Sequence, residues 1–215
     1  MKRIVLMALL ALALPLAAFA NSQVDFTNSG GTLSGSSAGM SLSGSTLVVV
    51  NGLGSLGLVT GNLGTLSFST GSLISGDLQN GATFNGGGSF VITGNGTNGV
   101  PNGVIFNGSF SGPVTWRLQL TSSGKHNYIL AGSVIGTWTS SGSTVEGVST
   151  QLTVNLGHGF FKNSTELASG DTNITVPEPG TLGLLGTGLV GLAGALRRKI
   201  KSLAYVSVAL KEGLA

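Results

Sequence analysis

The chain contains no cysteine and few charged residues, and both shortages restrict what it can be. Without cysteine it has no disulfide, no thiolate nucleophile and no thiolate metal site. Charged residues make up 8% and aromatic residues 6% of its 215 residues, whereas about 25% of an average globular protein is charged. Glycine is abundant instead, at 37 residues. Few side chains are therefore left for acid–base chemistry.

The net charge of +3 is a poor guide to the partner. Three basic and five acidic residues lie between Asn21 and Val176, which gives that segment a net charge of −2. A nucleic-acid-binding face needs clustered Lys and Arg, so nucleic acid is not an expected partner. The other seven basic residues lie near the two ends of the chain: Lys2, Arg3, Arg197, Arg198, Lys199, Lys201 and Lys211.

The first twenty residues have the pattern of a secretory signal peptide. A positively charged start at residues 1–3 precedes an apolar helix-forming stretch over residues 4–14. Ala18 and Ala20 then form the small-x-small pattern at which signal peptidase cuts. We expect residues 1–20 to be removed, so that the mature chain begins at Asn21.

The other end of the chain has three successive parts. The first is a short proline-rich motif, whose prolines hold the backbone extended. The second is an apolar, glycine-rich segment, Leu182–Leu196. The third is a basic cluster, which stops transfer across a membrane and stays on the cytoplasmic side. The motif consists of Val176, Pro177, Glu178, Pro179 and Gly180, and the cluster of Arg197, Arg198 and Lys199.

This arrangement resembles the PEP-CTERM sorting signal of exported bacterial proteins, here over residues 177–199. The same motif is also catalogued as an ice-binding protein C-terminal domain. The resemblance implies processing by exosortase, a membrane enzyme, and a transient stay in the inner membrane. It further implies delivery to the cell surface or extracellular space, in association with exopolysaccharide and biofilm. Residues 200–215 extend beyond the usual end of such signals, and we expect no function for this tail, although it could also be an interfacial helix.

The apolar segment is short for a permanent transmembrane helix. Its 15 residues span about 22 Å as a helix, against a hydrocarbon core of about 30 Å. Such a segment suits a helix that is held briefly and then cut away. A ridge of small residues on it either forms a docking face for another helix or arises by chance: Gly183, Thr187, Gly191 and Ala195.

Residues 21–176 are expected to form one all-β body. Apolar residues alternate with polar ones, and Asn-Gly, Gly-Asn and Ser-Gly pairs separate the alternating runs. We expect an antiparallel β-sandwich or curled meander, and the alternative is an irregular β-solenoid built from the loose repeats of Gly31–Gly76. Ten side chains are predicted to be buried: Phe68, Phe90, Ile92, Phe106, Phe110, Trp116, Leu118, Trp138, Leu152 and Val154.

Two glycine motifs imitate catalytic signatures. Gly52–Gly57 matches the dinucleotide pattern G-x-G-x-x-G, and Gly35–Gly39 matches the nucleophile pattern G-x-S-x-G. Each pattern needs a helix directly after it, and alternating strand-like residues follow instead. His126 and His158 lie among turn residues, and Tyr128 beside His126 is the aromatic residue most expected to be exposed. We predict no catalytic residue, no cofactor and no metal.

The body is therefore interpreted as a structural or adhesive component, with exosortase and exopolysaccharide as expected partners. Two other classes stay open. Its Thr, Ser and Asn content could form an ice-binding or polysaccharide-binding surface, although only Thr137-Trp138-Thr139 has the T-x-T pattern. An extracytoplasmic hydrolase would need a carboxylate pair that only folding could bring together.

Both ends of the delivered protein can be tested in one measurement. We expect the exported form to begin at Asn21 and to lack Arg197, because both targeting segments are cut away. Intact-mass and terminal-peptide mass spectrometry of the released protein would show this. Replacement of Pro177, Glu178 and Pro179 by alanine should leave membrane insertion intact and retain the uncut chain. Release of that variant at the normal rate would contradict a sorting role for the motif.

Overall fold

The structure, a computed structural model, describes residues 21–177 together with Gly188 and Gly191, which are helical. The first of these segments is all-β, as predicted, and its only helical element is a 3-10 turn at Thr97–Gly99. The strands are β1 Asn21–Ser29, β2 Thr32–Ser36, β3 Gly39–Asn51, β4 Val59–Ser69, β5 Leu73–Asp77, β6 Gly81–Phe84, β7 Gly87–Asn95, β8 Asn102–Phe110, β9 Val114–Leu120, β10 His126–Trp138, β11 Ser143–Asn155, β12 Ser164–Glu166 and β13 Ser169–Pro177.

The strands form one sheet that closes into a barrel. Eight strands make the closed ring, in the order β1, β3, β4, β7, β8, β10, β11 and β13. Two pairings complete it: β10 pairs with β11 over Asn127–Trp138, and β13 lies hydrogen-bonded between β11 and β1. The ring therefore has no free edge, which removes the exposed backbone groups that promote sheet aggregation.

The expected sandwich is wrong, whereas the curled meander is close to the structure, because the ring strands follow one another in chain order before the sheet closes. The predicted antiparallel pairing is present, but the sheet curls until its first and last strands meet instead of splitting into two layers. The solenoid alternative is wrong, because successive strands pair antiparallel as hairpins, as in β3 with β4 over Ser41–Val50. Alternation along a strand reports which face is buried but carries no information on the order of strands, so it could not distinguish these arrangements.

Two long strands also carry arms outside the ring. The second half of β3 pairs with β1, while its first half pairs with β2, which in turn pairs with β12. In the same way β10 pairs with β8 through Val134–Trp138 and with β9 through His126–Ala131. Beyond β9 the sheet continues to β6 and β5. The arms extend the buried interior past one end of the ring.

Aromatic side chains fill the ring. Phe68, Phe90 and Phe110 contact one another with ring centroids 5.6–6.2 Å apart, and Phe106 joins them through Phe90 at 6.2 Å. Edge-to-face packing at these distances stabilises a core beyond its buried area. Of the ten side chains predicted to be buried, all except Leu118 are at most 5% exposed; Leu118 is half-buried against the core.

At a strand end and at a bulge, the alternation of apolar and polar residues does not correctly predict which side chains are buried. Leu120 is the last residue of β9, past the buried part of the arm, and is 63% exposed. In β8 the register shifts, because Ile92 pairs with Phe106 while Thr93 pairs with Val104. The extra residue, Ile105, is buried as a result, and Val104, which alternates with it, is exposed instead.

One glycine is required by close backbone approach. Gly64 in β4 has φ 148°, and a Cβ there would overlap the carbonyl oxygen of Thr93 on β7. Its cross-strand partner is Gly94. The pair lets the backbones of β4 and β7 approach closely at this position.

A second aromatic cluster holds the arm against the ring. Trp116 stacks on Tyr128 with centroids 4.9 Å apart, and Phe161 packs against Trp116 at 5.1 Å. The indole Nε1 donates to the Leu78 carbonyl at 2.9 Å, and the Tyr128 hydroxyl donates to the Gln79 carbonyl at 2.7 Å. The expected exposure of Tyr128 is therefore wrong: it is 0% exposed, because folding brings the β5–β6 turn onto its hydroxyl.

We expect Trp116→Ala to lower the free energy of unfolding by about 3–5 kcal/mol, because it empties a buried site and leaves the Leu78 carbonyl without its donor. Chemical denaturation monitored by circular dichroism would measure this. Leu120→Ala, on the same strand but exposed, is the control and should change stability by less than about 0.5 kcal/mol. Equal losses in the two variants would contradict the assignment of Trp116 to the core.

Candidate functional sites

Neither glycine motif forms a catalytic structure. Gly52–Gly57 is the loop between β3 and β4, and a strand follows it where a dinucleotide site needs a helix. Gly35–Gly39 contains the tight turn between β2 and β3, so the serines of G-x-S-x-G lie in a hairpin. His158 is exposed, while His126 is half-buried at the start of β10.

The outward face of β3, β4 and β7, which we call the neutral face, carries rows of hydroxyl groups. Thr46, Thr65 and Thr93 lie side by side on the three strands. A second row runs parallel to the first and consists of Ser41, Ser69 and Ser89. Neighbouring strands are about 4.8 Å apart, so each row presents hydroxyls at regular intervals.

The three strands of the neutral face carry no charged residue, while Lys162 and Glu166 lie in or beside β12, two strands away from Ser41. No Asp, Glu, Lys, Arg or His occurs in residues 26–76 or in residues 78–116. In the Ser row, the Ser69 and Ser89 hydroxyls are 3.0 Å apart and hydrogen-bonded to each other. Thr65, at the centre of its row, is exposed. This surface can exchange hydrogen bonds with a neutral, hydroxyl-rich ligand.

Folding brings two carboxylates together on another outward face. Asp25 on β1 and Asp171 on β13 lie on adjacent strands. The Thr27 hydroxyl donates to Asp171 Oδ1 at 2.9 Å, and Gln23 Nε2 donates to Asn173 Oδ1 at 2.8 Å. Asp25 Oδ1 is buried without a hydrogen-bond partner among the residues that the structure describes.

The environment of this pair changes one of the two pKa values. Burial raises the pKa of the Asp25 carboxyl, and the nearby charge of Asp171 raises it further, against a hydrogen bond from the Phe26 backbone. Asp171 and Asn173 also line a surface depression of about 530 Å³, but Asp25 is not part of its lining. Within residues 21–177 no three His, Asp or Glu side chains come together as metal ligands.

Sequence reasoning could not find this pair. Asp25 and Asp171 lie at opposite ends of the body and have no shared motif. They meet only because β13 inserts beside β1 to close the ring. The available signal was weak: each carboxylate stands at an outward position of an alternating segment.

The last strand of the body runs directly into the C-terminal motif. Val176 is 8% exposed and Pro177 ends β13. Gly191 is helical and exposed. Ala18, Ala20, Glu178, Pro179, Gly180, Gly183, Thr187, Ala195, Arg197, Arg198 and Lys199 lie outside the described residues, as do the expected signal helix and transmembrane helix, so their roles stay predictions. No helix among the described residues is both long and apolar enough to cross a membrane.

A family model for the PEP-CTERM protein-sorting motif matches residues 175–199. The chain carries a PEP-CTERM sorting motif. This confirms the resemblance and identifies an exported protein that is sorted by the membrane enzyme exosortase. The match begins inside β13, two residues before Pro177. No curated protein and no solved structure matches the chain.

We expect Asp25→Asn to stabilise the protein at about pH 7. A carboxyl whose pKa is raised on folding contributes stability below its unfolded pKa, and that contribution is lost as the pH rises through the folded pKa. Asparagine has no such loss. The melting temperature of the variant should therefore exceed that of the parent at about pH 7 and match it more closely at about pH 3.

Asp77→Asn is the matched control with the opposite sign. Hydrogen bonds from the Asn80 side chain, and then from the backbone of Asn80 and Gln79, lower the pKa of Asp77. The stability that the Asp77 carboxylate contributes is present above its unfolded pKa and is lost as the pH falls through its folded pKa. Asp77→Asn should therefore lower the melting temperature at about pH 7, opposite to Asp25→Asn. A destabilising effect of Asp25→Asn at about pH 7 would contradict the unfavourable environment of Asp25.

Proposed function

We propose that the protein is a non-enzymatic component of the cell surface or extracellular matrix, and that the neutral face of its body binds polysaccharide. The sorting motif establishes export, and the hydroxyl rows on β3, β4 and β7 carry the proposal for the body. A sugar chain is rich in hydroxyls that both donate and accept, as Thr65 and its neighbours do. The structural or adhesive role follows from holding such a polymer at the surface.

Delivery is proposed to end with a cut beyond the body. Ile174 and Val176 are buried on the inner side of β13, and β13 closes the ring between β1 and β11. A cut upstream of Pro177 would remove part of a buried strand. We therefore place the bond that exosortase cleaves after Pro177, so that the released body stays folded.

Ice binding is the less favoured form of surface recognition. A crystal face is planar, whereas neighbouring strands are rotated by about 20–25° relative to one another. The Thr row spans three strands and then meets Val104 on β8. A flexible polymer can follow this twisted surface better than a flat lattice can.

A hydrolase is a second candidate because Asp25 and Asp171 form a carboxylate pair with one raised pKa. Glycosidases use such pairs, with the protonated member as general acid. In this protein, however, the depression beside Asp171 does not include Asp25. Release of reducing ends from a polysaccharide by the parent, abolished by both Asp25→Asn and Asp171→Asn, would favour this candidate.

The neutral face can be tested by co-sedimentation of the full-length protein in detergent with cellulose, a neutral glucan. We expect the triple variant Thr46→Val, Thr65→Val and Thr93→Val to bind about ten-fold more weakly, because each lost hydrogen bond is worth about 0.5–1.5 kcal/mol. Valine keeps the shape of threonine, so the fold should be retained.

Thr153→Val is the control for this experiment. Thr153 is an outward residue of β11, which lies across the ring from β4, and its replacement should leave cellulose binding unchanged. Equal binding by the parent and the triple variant would overturn the role of the neutral face. Equal losses in the triple variant and the control would show a general effect of replacing threonine.

A further inference from the structure

The loop between β11 and β12 lies across the start of β10. The His126 backbone N–H donates to the Gly157 carbonyl at 2.6 Å, and the Leu156 N–H donates to the His126 carbonyl at 3.0 Å. His126 Nδ1 and the Gly159 carbonyl are 2.9 Å apart. Phe161, buried against Trp116 and Tyr128, anchors the end of the loop. The residues beside Phe161 are therefore held in place.

An apolar strip is exposed at this position. Phe160 is 47% and Leu120 is 63% exposed. His126 lies between them, because it pairs with Leu120 across β9 and β10 and its ring centroid is 4.2 Å from that of Phe160. Phe160 is not among the buried core residues, whereas its neighbour Phe161 is fully buried. An exposed, immobilised aromatic ring is typical of a binding surface.

Two of the three basic residues of the body flank this strip. Lys125 directly precedes His126, and Lys162 directly follows Phe161. Both are exposed, and neither forms a salt bridge among the residues that the structure describes. Of the five acidic residues, Asp25, Glu146 and Asp171 lie elsewhere, on β1, β11 and β13. Asp77 ends β5 beside the turn that contacts Trp116 and Tyr128, and Glu166 lies on β12, four residues after Lys162.

The cluster lies at the end of the sheet away from Pro177. Asn127 at the start of β10 pairs with Asn155 at the end of β11, and Thr153 pairs with Ser169 at the start of β13. Since β13 runs from Ser169 to Pro177, the chain leaves the body at the opposite end.

We propose that Lys125, Lys162 and the Phe160–His126 pair bind an anionic polysaccharide. The lysine ammonium groups pair with sugar carboxylates, while the apolar face of a sugar ring lies on Phe160. This site is separate from the neutral face, and it selects for charge where the neutral face selects for hydroxyl groups. The two sites together would allow one body to join two kinds of polymer.

Affinity electrophoresis of the full-length protein in detergent can test this site, with polygalacturonate as the anionic probe and dextran as the neutral one. We expect the double variant Lys125→Gln and Lys162→Gln to bind polygalacturonate about ten-fold more weakly at about 0.05 M NaCl. The loss should shrink at about 0.3 M NaCl, where screening weakens the parent as well. Phe160→Ala should weaken binding at both salt concentrations.

Two controls isolate the effect. Arg117→Gln removes an equal charge about 10 Å along β9 from Leu120, and Leu58→Ala removes another exposed apolar side chain, 67% exposed, in the β3–β4 loop. Both should bind within about two-fold of the parent. The basic residues of the C-terminal tail are present in every variant, so only ratios to the parent are compared.

Binding of polygalacturonate by the double variant at the level of the parent would overturn the proposal. So would an equal loss in Arg117→Gln, because binding would then follow net charge alone. Phosphatidylglycerol vesicles that bind through the same lysines, with no binding of polygalacturonate, would assign the site to lipid and also overturn it. Cellulose binding that persists in the double variant would separate this site from the neutral face.

Discussion

The insertion of β13 between β1 and β11 is the constraint on which the rest of the structure depends. Without it the sheet would have two free edges, and Phe26, Ile174 and Val154 would lose the interior that now buries them. The strand is also the last in chain order among the described strands, so the ring can close only after the other seven ring strands have been synthesised. The end of β13, the strand that closes the ring, is thus also the start of the sorting motif.

The sequence predicted local structure well because local structure follows from side-chain alternation. Phe90 and Ile92, or Leu152 and Val154, lie on the inner face as their spacing indicates. The prediction was wrong where a single extra residue shifts the pattern, as at Ile105, and where a strand runs past the core, as at Leu120. These depend on pairing partners, which alternation does not specify.

Non-local contacts explain the remaining differences. Tyr128 has polar neighbours in sequence, yet its hydroxyl meets the Gln79 carbonyl, 49 residues away. The Asp25–Asp171 pair arises in the same manner from strand order. The sorting motif, in contrast, is one contiguous run of residues, so it could be identified from the sequence alone. The candidate sites of the body depend on the fold and could not.

The distribution of charge connects fold and delivery. The basic residues near the two ends of the chain are predicted to set membrane topology. A body with many more basic residues would bind anionic lipid nonspecifically. Lys125 and Lys162 lie at one end of the sheet, and Pro177 lies at the other. The proposed site for anionic polysaccharide is therefore separate from the start of the sorting motif. The hydroxyl rows of the neutral face can bind a neutral polymer without attracting charged lipid headgroups. A low-charge closed sheet is thus consistent with the proposed role of the body, which is to bind a polymer outside the cell.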